Sequence, residues 1–90
     1  MFASLVVSRN VRIIPEKKTS DGRIDLLIET PEYVYIIEIK RDSSPEAALN
    51  QILKKDYAIS FSTQNRKIFL IGMNFSSEKL RIDGYKISEL

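Results

Sequence analysis

Residues 22–41 read GRIDLLIETPEYVYIIEIKR, two apolar segments on either side of the short stretch Thr30-Pro31-Glu32. β-Branched and aromatic residues predominate in both segments, and a proline-containing turn divides them, so the pattern predicts strands at 23–29 and 33–41. The second segment is apolar on both of its faces until Glu38. Such a strand is usually central and covered on both sides.

The flanking sequence predicts the remaining elements of a mixed sheet. A strand is expected at 11–16, with Pro15 placing it near an edge, followed by a turn at Thr19-Ser20-Asp21-Gly22. Alternation puts Ile24, Leu26 and Ile28 on one face of the next strand. For residues 1–10 the sequence leaves the end of a helix as one interpretation.

A helix is predicted to follow the central strand. Ser44-Pro45-Glu46 supplies a cap, a proline at the first helical position and an acid in the first turn, and the helix should run to about Tyr57. Strands are expected at 67–73, in a buried parallel position, and at 80–87. The fold class is therefore α/β (α+β): a three-strand meander, a crossover helix, and one or two further strands.

The composition narrows the chemistry. The 90 residues include no cysteine and no histidine, and the net charge is +2. Disulfides, cysteine or histidine catalysis and histidine-ligated metals are excluded, so any metal must be held by oxygen, as Mg²⁺, Mn²⁺ and Ca²⁺ are. The sequence shows neither a membrane span nor a signal peptide, so we expect a cytoplasmic protein that does not associate with membranes.

Three charged residues lie where apolar residues would be expected. Glu38 and Lys40 leave the same face of the central strand. If residues 30–33 form the loop, antiparallel pairing puts Asp25 opposite Glu38, with Cβ atoms about 5 Å apart. Two carboxylates at that distance repel each other, and a divalent cation relieves the repulsion better than Lys40 alone. The same residues also fit a solvated ion pair in which Asp25 is the partner of Lys40.

A wider pattern resembles a known family. The segments GRIDL (22–26), EIK (38–40), AALNQI (47–52) and IGMNFS (71–76) occur in this order. Together they resemble the PD-(D/E)XK nuclease superfamily, and within it the nuclease-like C-terminal domain of bacterial AAA-ATPase-like proteins of unknown function. The resemblance spans about residues 11–90 and implies a restriction-endonuclease-like core.

The resemblance also implies roles for individual residues. Asp25 and Glu38 would bind Mg²⁺ or Mn²⁺, and Lys40 would act on water and phosphate. Gln51 matches a helix glutamine that faces the site and completes the catalytic set. Glu16 matches an acidic position on the first strand that can join the metal ligands, although an ordinary exposed strand residue is an equal interpretation.

Two departures from the family are visible. A tyrosine commonly follows the helix glutamine by four residues, whereas this chain has Lys55 there and Tyr57 two residues later, for which a packing role is expected. The superfamily core also opens with a helix, for which residues 1–10 are too short. We therefore expect residues 1–90 to form a single nuclease-like domain, either a fragment of a larger protein or a version without this helix.

The expected function is Mg²⁺-dependent cleavage of DNA with little sequence preference. Two alternatives stay open: a module that keeps the nuclease fold to bind nucleic acid or a partner, and a structural domain that serves an attached ATPase-like region. An exposed edge strand makes a homodimer a further expectation. Phosphate contacts would come from basic side chains, namely Arg9, Arg12, Lys17, Lys18, Arg23 and Lys54.

Overall fold

In a computed structural model, which describes residues 5–8, 10–19, 22–55 and 65–90, the chain forms one six-stranded sheet with a helix packed on it. The elements are β1 (Leu5–Ser8), β2 (Val11–Thr19), β3 (Gly22–Glu29), β4 (Tyr33–Arg41), α1 (Pro45–Lys55), β5 (Lys67–Ser76) and β6 (Arg81–Glu89). The strands lie in sequence order. Neighbours pair antiparallel except β4 and β5, which are parallel and are joined through the helix.

This architecture confirms the predicted mixed sheet, with β4 within the predicted bounds. The strands β2 and β5 each continue three residues beyond their predicted ends. The suggestion of a helix end in residues 1–10 was wrong for Leu5–Ser8, which form a strand on the edge of β2. β-Branched valines favour that conformation once an edge is available to pair with. The predicted helix end at Tyr57 lies outside the described residues.

The helix begins as its sequence predicts. The Ser44 hydroxyl accepts a hydrogen bond from the Ala47 backbone N–H at 3.0 Å, which satisfies one of the free donors of the first turn. Ala48 and Ile52 lie on the face that packs against the sheet, and both are fully buried. Because this face is apolar at helical spacing, the opposite face of the helix is left for polar side chains.

The core lies between α1 and one face of the sheet. Its buried members are Ile14, Ile24, Leu27, Val34, Ile36, Ile52, Ile68 and Leu70. Ile24 corrects a prediction, because simple alternation placed it on the face opposite Leu27. The departure coincides with Glu16 on the paired strand, which has a positive φ of 52° and interrupts the regular ladder between Pro15 and Lys17.

The helix crosses the sheet in direct backbone contact at Gly72. A Cβ atom at this position would lie 2.4 Å from the Leu49 nitrogen and 2.5 Å from the Pro45 carbonyl oxygen. Gly72 is paired with Glu38 in the parallel register. The absence of a side chain at Gly72 therefore sets how closely the helix approaches the part of β4 that carries the charged residues.

The second face of the sheet carries an aromatic cluster and no described helix. The rings of Tyr35 and Phe69 stack at 5.5 Å between centroids, and Tyr33 packs against both. Towards β6 the same face ends in exposed apolar side chains, including Tyr85 and Ile87. Among the described residues, no helix is long and apolar enough to cross a membrane.

We expect Gly72→Ala to destabilise the fold by about 2–3 kcal/mol, because the added methyl group meets backbone atoms that cannot rotate away. The midpoint of urea unfolding measures the change. Gly84→Ala is the matched control, since its Cβ would meet the ring edge of Pro45 at 3.0 Å and no backbone atom within 4 Å. Equal effects of the two substitutions would contradict the close contact at Gly72.

Candidate active site

Asp25 and Glu38 come together at the end of the β3–β4 ladder. The register pairs Leu26 with Ile37, as the predicted loop length requires, but the backbone ladder stops there. The Asp25 carboxylate takes over as acceptor, with its Oδ2 receiving a hydrogen bond from the Ile39 N–H at 2.8 Å. The carboxylate is thereby held against β4 at the residue between Glu38 and Lys40.

Glu38 is the buried member of the pair. It is 6% exposed, and its Oε2 accepts a 2.7 Å hydrogen bond from the Gln51 side-chain amide on α1. Its Oε1 is also buried and has no hydrogen-bond partner among the described residues. A buried carboxylate oxygen without a donor is costly, so a proton, a water molecule or a cation at this position would stabilise the folded protein.

The pKa of Glu38 reflects this environment. Burial raises it from its ordinary value of 4.5 to about 7, and the negative charge of the Asp25 carboxylate adds to the rise. The positive charges of Lys40 and Lys55 oppose the shift only partly. Because this pKa lies near neutrality, metal-free Glu38 is partly protonated at pH 7, and a bound cation would displace that proton.

Glu16 stands one side chain away from the pair. The Arg23 guanidinium contacts the Glu16 carboxylate at 3.3 Å and the Asp25 carboxylate at 3.4 Å, so it bridges them. The Glu16 side chain is 71% exposed. Within the described ranges, no three acidic side chains converge as a ready-made metal cage.

Lys40 borders an open cavity of about 370 Å³ between the end of β4 and the helix. Among the described residues, no carboxylate forms an ion pair with its ammonium group. The ion pair between Asp25 and Lys40 that the sequence also allowed is therefore not formed. Asp25 contacts Arg23 instead, and the charge of Lys40 is directed towards the cavity and towards Glu38.

A polar network around the buried side chain of Asn74, which sequence reasoning missed, holds the connection between β4 and α1. The Asn74 side chain, 5% exposed, accepts a hydrogen bond from the Ser43 N–H at 2.8 Å and donates one to Asp83 at 2.9 Å. Asp42, with a positive φ of 50°, accepts from the Ser77 N–H and hydroxyl, and these bonds lower the pKa of its carboxyl group. A polar residue at the end of an otherwise apolar strand was the available signal for Asn74.

The predicted phosphate contacts divide into separate groups. Arg12 and Arg23 are engaged with carboxylates, at Glu29 for the first and at Glu16 and Asp25 for the second. The side chains of Lys17 and Lys18 are exposed on β2. Arg9 lies outside the described residues. Lys54 is the candidate that borders the same cavity as Lys40.

The donor set fits a hard divalent cation. Asp25 and Glu38 contribute carboxylate oxygens from adjacent strands. Among the described residues, Glu38 Oε1 has no hydrogen-bond partner, so it could act as a ligand to a cation. Mg²⁺ usually binds through one or two carboxylates and keeps water or phosphate oxygens in its other positions. Two protein carboxylates are thus sufficient for Mg²⁺, whereas a fully protein-ligated Ca²⁺ site would need more oxygens.

Comparison with known proteins places the chain in a family. The sequence profile of the PD-(D/E)XK nuclease superfamily matches residues 1–84, and the chain belongs to this superfamily. Its members typically depend on divalent metal ions. The predicted restriction-endonuclease-like core is therefore confirmed. No solved structure gives a significant match.

A curated relative is known from Azotobacter chroococcum mcd 1, where it is described as an uncharacterized protein in the vnfD 5′ region. It is 32% identical over 92 residues, an alignment that covers 100% of this chain and 18% of the relative. The chain thus spans less than a fifth of that relative's length.

We expect the raised pKa of Glu38 to appear in the stability of the metal-free protein. The folded state holds this proton more tightly than the unfolded state, so its contribution is complete below pH 4.5 and is lost as the pH rises to about 7. Relative to Glu38→Gln, which cannot titrate, wild type should lose up to about 3 kcal/mol across this range. Urea unfolding at several pH values measures the difference, and parallel curves for the two proteins would contradict it.

Proposed function

We propose that this domain hydrolyses phosphodiester bonds in DNA with the help of Mg²⁺ or Mn²⁺. The observation that supports this proposal most directly is the buried Glu38 oxygen, which lies beside the Asp25 carboxylate and has no donor among the described residues. Lys40 follows two residues further along the same strand. Superfamily membership supports the same reaction class. The chemistry follows from what each of these groups can do in a partly buried site.

Asp25 and Glu38 would hold the metal ion. When bound, the ion neutralises charge on the phosphate and lowers the pKa of a bound water. Lys40 orients the attacking water through its ammonium group and stabilises the negative charge that develops on the phosphate oxygens. Because the side chain of Lys40 borders the cavity, its charge is available to a substrate that enters there.

Two further residues support the ligands. Gln51 is a positioning residue, since its amide fixes the orientation of the Glu38 carboxylate through the 2.7 Å hydrogen bond. Glu16 is proposed as an outer acidic group that joins the ligand set when Arg23 moves to a phosphate, because Arg23 at present bridges Glu16 and Asp25. The DNA contact should depend on phosphates and so show little sequence preference.

A second candidate function is a module that binds the rest of a longer protein, such as an ATPase-like region. Two observations favour it: the chain spans 18% of its relative, and the second sheet face leaves Tyr85 63% and Ile87 54% exposed. Exposed apolar patches mark interaction sites. Such a module would bind DNA or a partner without cleaving DNA, so a cleavage assay separates the two functions.

Metal should stabilise wild type and not Asp25→Asn. The asparagine relieves the repulsion and keeps an acceptor for the Ile39 N–H, so the metal-free variant should be at least as stable as wild type. Mg²⁺ at a hundredfold excess over its dissociation constant should stabilise wild type by about 2.7 kcal/mol. Thermal melts at pH 8, with and without Mg²⁺, measure both effects. A destabilised variant and a wild type indifferent to metal would exclude the metal site.

Lys40→Ala should abolish Mg²⁺-dependent cleavage of plasmid DNA while the gain in melting temperature with Mg²⁺ persists, because Lys40 acts on water and phosphate. Lys67→Ala is the matched control. It removes one charge at the opposite end of β5, seven residues and about 23 Å from the partner of Lys40 in the register. Cleavage by Lys40→Ala at the wild-type rate would refute the assigned role. Metal binding without cleavage by wild type would favour the module.

A further inference from the structure

The outer face of the helix α1 forms one wall of the cavity. Ala47, Asn50, Gln51 and Lys54 line it from the helix at the spacing i, i+3, i+4 and i+7, which is a single stripe. The other walls are Lys40 and Ser43 at the end of β4. The volume of about 370 Å³ lies at the small end of the range for ligand sites.

The cavity carries positive charge from two sides. Lys40 and Lys54 both border it, and among the described residues no carboxylate pairs with either ammonium group. The remaining polar side chains, at Ser43, Asn50 and Gln51, each offer hydrogen-bond donors. Two cations with such donors favour an anion that also carries neutral oxygens, as a phosphodiester does.

The stripe of helix residues that lines the cavity is longer than a single phosphate group. From Ala47 to Lys54 the helix rises about 10 Å. Successive phosphates of one strand are further apart than the axial rise of 3.4 Å per nucleotide, so this length accommodates about two phosphates. Lys40 lies at the candidate catalytic pair, which leaves Lys54 for a neighbouring phosphate.

We propose that this cavity holds the phosphodiester backbone of the DNA strand next to the bond that is cut, with Lys54 as its binding cation and Asn50 as a neutral donor. The proposal rests on the proposed function for the identity of the strand. It assigns the two lysines different roles. Lys40 acts in the chemical step, and Lys54 contributes to substrate binding alone.

The test uses the full chain, a fluorescently labelled single-stranded DNA oligonucleotide, and a buffer with chelator, so that binding is measured without cleavage. Lys54→Ala should weaken binding about tenfold at low salt, the loss of one charge-assisted contact. The slope of log K against log salt should fall by about 0.7, the value for one single-strand phosphate contact. Lys54→Arg should retain the wild-type affinity and slope, because it keeps the charge.

Lys67→Ala is the control for loss of one positive charge elsewhere, since Lys67 pairs with Glu89 at the far end of the strand. It should leave the affinity within twofold of wild type. Where cleavage occurs, Lys54→Ala should raise KM and leave kcat unchanged, which is the pattern for lost uniform binding. A melting temperature of Lys54→Ala close to wild type confirms that the fold is intact.

The outcomes separate this proposal from the proposed function. Binding that depends on Lys54 in a protein that never cleaves DNA would support the cavity and overturn the hydrolytic function. Cleavage by Lys54→Ala with a wild-type KM would support the hydrolytic function and overturn the cavity assignment. Equal binding by wild type and Lys54→Ala, or no DNA binding by wild type, would overturn the cavity assignment.

Discussion

The close contact between helix α1 and Gly72 of β5 is the constraint on which the rest of the site depends. At this point the helix backbone lies where any side chain on the sheet would stand. Because Gly72 is paired with Glu38, the same contact brings Gln51 within hydrogen-bond reach of the Glu38 carboxylate. It also directs the outer stripe of the helix towards the cavity beside Lys40.

The pair of carboxylates at Asp25 and Glu38 lowers the stability of a domain whose free energy of unfolding is expected to be small. A small domain buries a limited share of its surface, and a shielded carboxylate next to another carboxylate works against folding. Two hydrogen bonds limit this cost, since Gln51 of the helix satisfies one oxygen of Glu38 and the Ile39 N–H of β4 satisfies one of Asp25. Among the described residues, the other buried oxygen of Glu38 has no partner. Functional sites commonly hold such locally unfavourable groups.

Local signals carried much of the prediction. The serine cap, the proline at the first helical position and the two-faced apolar strand each act within a few residues, and the structure has the helix start and β4 where they indicated. The loop of residues 30–33 correctly predicted the register of β3 and β4. Ile24 was assigned to the wrong face, and the departure from alternation lies beside Glu16 on the paired strand, whose φ is positive.

The sequence by itself determined the fold class, the helix start and the placement of Asp25 near Glu38, because each follows from short-range periodicity, capping and loop length. Only the tertiary structure decided which side-chain atoms form hydrogen bonds or ion pairs and which do not. The hydrogen bond from Ser43 to Asn74 joins residues 31 positions apart. The bridge from Arg23 to Glu16 and Asp25 joins nearer residues, whose side chains meet because β2 pairs with β3. Such contacts depend on how the helix packs and where the backbone ladder ends, and neither has a local sequence pattern.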